Sequence, residues 1–386
     1  MEFSSADFVR RICDDYGPRL SGSYGEQMAG EAIYEEMRKF SDDVEKEFYV
    51  SRPRAFLDFI WFTASFYILG AVLYFLNLPV FSAILLMIGI LIYILQQNLL
   101  LEVVDIFFPR VKEFHVIGKI RPLKEAKKLA ILSAHYDSAY EFPLLGRHRK
   151  KGLLFLNMTV YFAIASIVLT IASIFFINVP LRFFTYALLI ISSIMVLYVS
   201  LNLRSNRAVP GANDDLAAVA SIIDAGIRLS IQRPEKTEVW IVAIAGEEHM
   251  RGSKRFIRNH LNELKSRNSM VFNLETPSGD YFLVTTEEKM FLAKHSPEVV
   301  DILVQAAEKT GSKYRVGSLP FLGSDGANFS KAGIRAATVF GLCEKDSMPC
   351  NWHTMNDVPE NLNQEMLEKA RDILVNAVYI FDSKPS

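Results

Sequence analysis

The chain has 386 residues, 51% of them apolar, and a formal net charge of −1. That size and composition allow one large core, or one core plus membrane segments. The balanced charge excludes nucleic-acid binding through a basic surface. Three cysteines, Cys13, Cys343 and Cys350, are too few for a disulfide scaffold.

In chain order, residues 1–50 read as two helices and a strand. The start, Met-Glu-Phe-Ser-Ser-Ala-Asp, lacks the basic and apolar regions of a signal peptide. Ser23 to Phe40 has helical spacing, with Met28, Ala32, Ile33, Tyr34 and Met37 as its inner face. Asp43 to Val50 turns to alternation, as a strand does.

Phe59 to Leu101 then carries no Asp, Glu, Lys or Arg, and Gly152 to Leu203 carries only Arg182. A membrane-spanning helix needs about 20 apolar residues, so each stretch holds two. Each is broken near its middle, at Asn77-Leu78-Pro79 and at Asn178-Val179-Pro180. Two transmembrane hairpins are predicted, 56–105 and 152–203, giving four helices that are apolar all round. Their outer flanks carry Arg52, Arg54, Arg110, Lys112, Arg147 and Lys151, among others, and the tight turns only Arg182. Lys and Arg accumulate on the cytoplasmic side. The expectation is an integral protein of the cell membrane with both termini and all the polar sequence in the cytoplasm.

Between the hairpins, Lys112 to Ile120 and Lys128 to Ala134 read as strands. After Leu216 the chain alternates: helix 215–230, strand 237–244, helix 252–265, strand 269–275, helices 297–309 and 326–332, strand 335–340, helix 363–382. Strands alternating with helices imply an α/β domain with a mixed, largely parallel sheet. Ligands of such sheets sit beyond the strands' carboxyl ends. Residues 1–55, 106–151 and 204–386 would form this one discontinuous domain. The second hairpin would then be inserted between two site segments, putting the site close to the membrane surface.

The chemistry-bearing residues collect at those strand ends. Gly211-Ala212-Asn213-Asp214-Asp215 opens an apolar helix with two adjacent acids, which repel and are costly to desolvate. His135-Tyr136-Asp137 ends one strand, Glu247-Glu248 follows a second and Glu275 ends a third; His353 lies in a loop before the last helix. Imidazole and carboxylate ligands suit zinc. Two zinc ions about 3.5–4 Å apart make a hydrolytic clamp and need a shared carboxylate to offset their repulsion. Asp214 is the expected bridge. If the backbone at Glu247-Glu248 is extended, the two side chains point apart, leaving one to ligate and one to move protons.

The ordered motifs HxD, GAxDD, GEE, NLE and HTxxD resemble the di-zinc aminopeptidase family, metallopeptidase family twenty-eight. Bacterial leucyl aminopeptidase, glutamate carboxypeptidase and glutaminyl cyclases are among its relatives. The resemblance covers 1–50, 110–140 and 205–382, and not the hairpins. It implies a three-layer zinc-exopeptidase-like domain and two zinc ions per chain. One ion would take His135, Asp214 and Glu275, the other Asp214, Glu248 and His353. Asp137 would orient the His135 imidazole, and Glu247 would act as general base. Three positions depart from the family pattern. Glu275 stands where many members have Asp, Asp215 follows the bridging Asp, and Ser324-Asp325-Gly326 lacks the His of a Ser-Asp-His segment.

The reading is a membrane-anchored, cytoplasm-facing di-zinc aminopeptidase acting on short peptides. Its partners are a peptide substrate and the lipid bilayer, with the hairpins also available for contact between copies of the chain. The rival is a glutaminyl cyclase-like acyltransferase with one zinc, encouraged by His135-Tyr136-Asp137-Ser138 and Trp352-His353-Thr354. A non-catalytic receptor or scaffold is a further alternative. Cys343 and Cys350 could pair across a loop or stay as thiols, and His115, His148, His249, His260 and His295 are expected at surface or structural positions.

Overall fold

A computed structural model describes residues 3–176 and 178–385. The chain opens with α1 (Ser5–Tyr16), α2 (Tyr24–Met37) and β1 (Asp43–Ser51). Two long helices follow, α3 (Ala55–Phe75) and α4 (Pro79–Tyr93). Then come β2 (Val111–Ile120), β3 (Lys128–His135), α5 (Pro143–His148), α6 (Lys150–Phe175), α7 (Val179–Asn202) and α8 (Ala217–Ile231). The remainder is β4 (Thr237–Ile244), α9 (Gly252–Ser266), β5 (Ser269–Glu275), β6 (Tyr281–Glu288), β7 (Ala293–Lys294), α10 (Pro297–Lys309), β8 (Tyr314–Leu319), α11 (Asp325–Lys331), β9 (Ala336–Leu342) and α12 (Gln364–Ser383).

The chain divides into two compact units. One comprises Met1–Pro53, Arg110–Glu141 and Asn206–Ser386; the other Arg54–Pro109 and Phe142–Ser205. The polar lead-in 142–151, read from sequence as part of the soluble domain, groups with the apolar helices, because α5 packs there as a short helix of its own.

The first unit is an α/β/α sandwich on a mixed sheet of order β1-β2-β4-β3-β5-β9-β6-β7, with β8 on β6. Its centre, β4-β3-β5-β9, is parallel. β3 is buried along its whole length, as expected for a parallel strand covered on both faces. Ala130, Leu132 and Ala134 face a core with α1, α2, α8, α10 and α12, while Leu129 and Ile131 face α9 and α11. α2 begins at a capping box: Ser23 Oγ accepts the Glu26 N–H at 3.2 Å, and Glu26 Oε2 accepts the Gly22 N–H at 2.6 Å. Strands β6, β7 and β8 extend the sheet beyond the strands read from sequence. β6 hides its signal because Phe282 and Val284 fill one core and Tyr281 and Leu283 the other, so polar and apolar residues do not alternate.

β2 carries a test of burial. His115 is fully buried, its Nδ1 accepts the Ala245 N–H at 3.2 Å, and its ring stacks on Tyr49. Burial pushes the imidazole down to about 4, against the partial opposing pull of Glu47 and Glu113. The unfolded chain therefore takes up a proton that the folded chain refuses, and stability falls as pH drops from about 6.5 to about 4. The loss should approach about 3 kcal/mol. His115→Gln, which can still accept from Ala245, should flatten this part of the acid limb. Thermal midpoints in detergent between pH 4 and 7 check this, and parallel profiles for the two proteins would refute it.

The second unit is four apolar helices of 21, 20, 26 and 24 residues, Ala55–Phe75, Pro79–Asn98, Lys150–Phe175 and Val179–Asn202, each long and apolar enough to cross a membrane. Asn77 turns the first pair with φ +60°, a left-handed conformation that Asn tolerates, and Pro79 opens α4, where a missing N–H costs nothing. Asn178 Oδ1 caps α7 by accepting the Leu181 N–H at 2.7 Å. Small polar residues join the helices: the Tyr67 hydroxyl bonds to Ser192 Oγ at 2.7 Å and to Ser166 Oγ. At one end Asp58 binds both Arg54 (2.9 Å) and Arg204 (2.8 Å).

Candidate metal centre

Because β4, β3 and β5 lie parallel and adjacent, their carboxyl ends open side by side. The register sets His135 opposite Ile244 and Ser133 opposite Asn273. His135, the segment after β4 and Glu275 thus become neighbours although far apart in sequence. The segment after β4 is a turn, not the extended backbone expected for Glu247-Glu248: the Met250 N–H bonds back to the Glu247 carbonyl at 2.5 Å. The turn needs Gly246, whose φ is +73° and whose added Cβ would stand 2.5 Å from the Tyr49 hydroxyl. The two side chains still diverge. Glu247 Oε2 lies 3.6 Å from His135 Nε2, and Glu248 Oε2 lies 3.3 Å from His353 Nε2.

Asp214 sits between the imidazoles. Its Oδ1 is 3.3 Å from His135 Nε2 and its Oδ2 is 3.2 Å from His353 Nε2. Glu275 Oε2 is 3.5 Å from His135 Nε2. Two groups result, His135-Asp214-Asp215-Glu275 and Asp214-Glu248-His353, each with ligand atoms within 4.8 Å of one another and Asp214 common to both. A third group within the same limit is His135-Glu247-Glu248. Asp215 has both oxygens engaged, by the His135 N–H at 3.3 Å and the Thr276 N–H at 2.7 Å. It ties the ends of β3 and β5 together. The Asp214–Asp215 peptide is cis.

Asp137 braces the site from below. Its carboxylate accepts the N–H of Glu247 (3.1 Å), the N–H of Glu248 (3.2 Å) and the Ser21 hydroxyl (3.0 Å), and Oδ1 lies 3.3 Å from His135 Nδ1. One residue thereby holds both an imidazole and the Glu247-Glu248 turn. Asn273 Nδ2 donates to Glu275 Oε1 at 3.1 Å.

Burial in this acid-rich space works against charge on carboxylates. It raises Glu247 well above the carboxylate range and, helped by Asp214, pushes Glu275 up to about 7. Asp214 and Asp137 go the other way. Burial opposes their ionisation too, but His135 and His353 hold Asp214, and His135 holds Asp137, below the usual carboxylate range. Burial disfavours charge on His353, yet Glu248 and Asp214 raise it to about 9. Dications bound here would supply counter-charge to these buried carboxylates and displace their protons. Asp214 Oδ2 and Glu248 Oε1 are buried and, among the described residues, meet no donor in hydrogen-bond geometry. The donor set is imidazole nitrogen and carboxylate oxygen, and it fits zinc.

The match with known proteins runs through these same residues. Residues 198–378 match the family model Peptidase family M28. The chain thus has a segment similar to the M28 peptidases. That segment contains Asp214, Glu247, Glu248, Glu275 and His353, while His135 and Asp137 precede it. The chain is also similar to Aminopeptidase YwaD of Bacillus subtilis, 29% identical over 191 residues, which are 48% of this chain and 40% of that protein. It therefore aligns with less than half of that relative's length. Among solved structures it resembles Bacteroides thetaiotaomicron glutaminyl cyclase bound to N-acetylhistamine, at 14% identity and TM-score 0.59 over 98% of each chain. It also resembles a Zn-dependent exopeptidase from Parabacteroides distasonis, at 13% identity and TM-score 0.59 over 98% of this chain and 99% of that one. The fold is thus zinc-exopeptidase-like.

In this M28-like segment, several partners escaped the sequence reading. Asp357, the acid of the HTxxD motif, accepts the N–H of Asn213 at 2.7 Å and of Asp214 at 3.1 Å. Asp325 is buried beside the site, and burial together with Glu275 pushes it up to about 8. The next residue, Gly326, has no room for a side chain: an added Cβ would lie 2.1 Å from Thr338 Oγ1. Three of the other histidines pair with acids, the buried His249 with Glu113 (3.2 Å), the half-buried His260 with Glu47 (2.6 Å) and the buried His295 with Glu288 (3.0 Å). His148 is exposed. Cys343 and Cys350, left open by the sequence, are bonded across the loop that leads to His353.

Proposed function

We propose that this protein is a membrane-anchored di-zinc aminopeptidase that removes N-terminal residues from short peptides. The observation that carries the reading is the position of Asp214, one oxygen toward each imidazole, with Glu275 beside one imidazole and Glu248 beside the other. His135, Asp214 and Glu275 would hold one ion, and Asp214, Glu248 and His353 the other. When bound, such a pair polarises a peptide carbonyl and lowers the pKa of water toward ~7. Glu247 takes the proton of the attacking water on its carboxylate and passes it to the leaving amine. Asp137 fixes the His135 ring through Nδ1 and keeps the Glu247 carboxylate in place through the backbone N–H beside it. Burial of Glu247 supports this role, because a base whose pKa is raised can also return the proton.

The four apolar helices are the anchor, and the Lys and Arg flanks favour a cytoplasmic peptidase unit. The Cys343–Cys350 bond weighs the other way, since disulfides persist in oxidising compartments. Protease access in sealed vesicles of known sidedness decides the orientation.

The glutaminyl cyclase reading has its own support in Trp352-His353-Thr354 and in the cyclase-like fold. Metal analysis of purified protein with a peptide library separates the two. Two zinc ions per chain and release of N-terminal residues are expected, both lost after chelation and restored by zinc. One zinc with cyclisation of N-terminal Gln would overturn the peptidase reading.

A further inference from the structure

Arg19, in the loop between α1 and α2, is fully buried. A buried guanidinium ordinarily needs an acidic partner, yet among the described residues no carboxylate forms an ion pair with Arg19. Its donors go mainly to main-chain carbonyls instead, with Nη1 also reaching Cys13 Sγ at 3.9 Å. Nε donates to Tyr136 O at 2.8 Å, Nη1 to Pro210 O at 2.8 Å and Gly17 O at 3.3 Å, and Nη2 to Gly211 O at 2.6 Å. Its own main chain is locked to the segment after His135: the Arg19 N–H donates to Ser138 Oγ at 2.8 Å, and the Ser138 N–H to Arg19 O at 3.0 Å.

Tyr136, Pro210 and Gly211 belong to the two segments that carry His135 and Asp214. The approach is close enough to dictate a residue in the Gly-Ala-Asn-Asp turn. Gly211 has φ +64°, and a Cβ on it would stand 2.6 Å from Ser138 Cβ and 2.9 Å from Arg19 Nη2. From the other side Asp357 takes the N–H groups of Asn213 and Asp214. The turn is therefore gripped by a cation on its carbonyls and by an anion on its N–H groups.

We propose that Arg19 is a positioning residue for the metal pair: its planar fork sets the separation between the His135 strand end and the Asp214 turn, and so between the imidazole and the shared carboxylate of one ligand group. This rests on the di-zinc reading above. Lysine cannot substitute, because one ammonium cannot present donors along the three fixed directions that Tyr136, Pro210 and Gly211 require. Arg19 itself touches no substrate-facing group.

The test uses full-length protein in detergent: the unmutated chain, Arg19→Lys, and Ser138→Ala, which keeps the guanidinium but removes the hydroxyl that holds the Arg19 N–H. Zinc is titrated by calorimetry into metal-stripped protein, thermal midpoints are measured before zinc is added, and kcat and KM are separated on an aminoacyl amide. For Arg19→Lys we expect a midpoint within a few degrees of the unmutated chain. Zinc affinity should fall roughly 10- to 100-fold and kcat at least about tenfold, with KM nearly unchanged. Ser138→Ala should show the same pattern, a few-fold in size. Arg19→Lys with unaltered zinc affinity overturns the proposal. If Arg19→Lys does not fold, unaltered affinity and kcat in Ser138→Ala overturn it equally. An unmutated chain that takes up no zinc overturns the di-zinc reading itself.

Discussion

Glu247→Gln should bind zinc as the unmutated chain does, unfold at the same temperature, and lose roughly a thousandfold or more in kcat. General base catalysis by a positioned side chain is worth about 10²–10⁴, and a thousandfold corresponds to about 4 kcal/mol of barrier. The substitution keeps the side chain's volume and the Glu247 N–H bond to Asp137, so the turn that also carries Glu248 is undisturbed. What disappears is the carboxylate oxygen 3.6 Å from His135 Nε2, the group able to accept a proton there. Steady-state kinetics on aminoacyl amides, with metal content measured on the same sample, provides the check. Near-normal turnover by Glu247→Gln would remove Glu247 from the chemistry.

The second large effect is expected at Asp214. Asp214→Asn keeps the shape but withdraws the one anion that faces both imidazoles. Both ions should then be lost together at micromolar zinc, with affinity down by more than about a hundredfold, since even partners beyond the direct ligands are worth 10–100-fold. Glu248→Gln or Glu275→Gln should each weaken one ion and spare the other. The fold should survive, because Asp357 grips the Asn213 and Asp214 N–H groups and not the side chain. Calorimetric stoichiometry separates these outcomes. An Asp214→Asn protein that still takes two ions would dissolve the idea of a shared carboxylate.

Much of the architecture is legible in one dimension. The β3 and β5 apolar runs end on chemistry-bearing residues because parallel strands present their carboxyl ends to a common edge. Hydrophobic strands buried on both faces are easy to detect when a polar residue stops them, as His135 stops Ala130–Ala134. β6 escapes the same reading because its two faces are both apolar at the start and no alternation marks it. Gly246 signals a turn only once Tyr49 and His249 are seen to crowd it.

Sequence by itself determined the residue chemistry: which imidazoles and carboxylates stand at strand ends, and which stretches are too long and apolar for water. These follow from local periodicity and from the cost of leaving or burying particular groups, which no distant neighbour changes. Tertiary structure alone decided that Asp214 turns one oxygen to each imidazole, that Asp137 serves two segments at once, and that the charge on Arg19 is met by carbonyls. Such pairings join residues far apart in the chain, from 79 positions for His135 and Asp214 to 192 for Arg19 and Gly211, and their geometry arises only when the sheet register and the α8 entry turn are formed together.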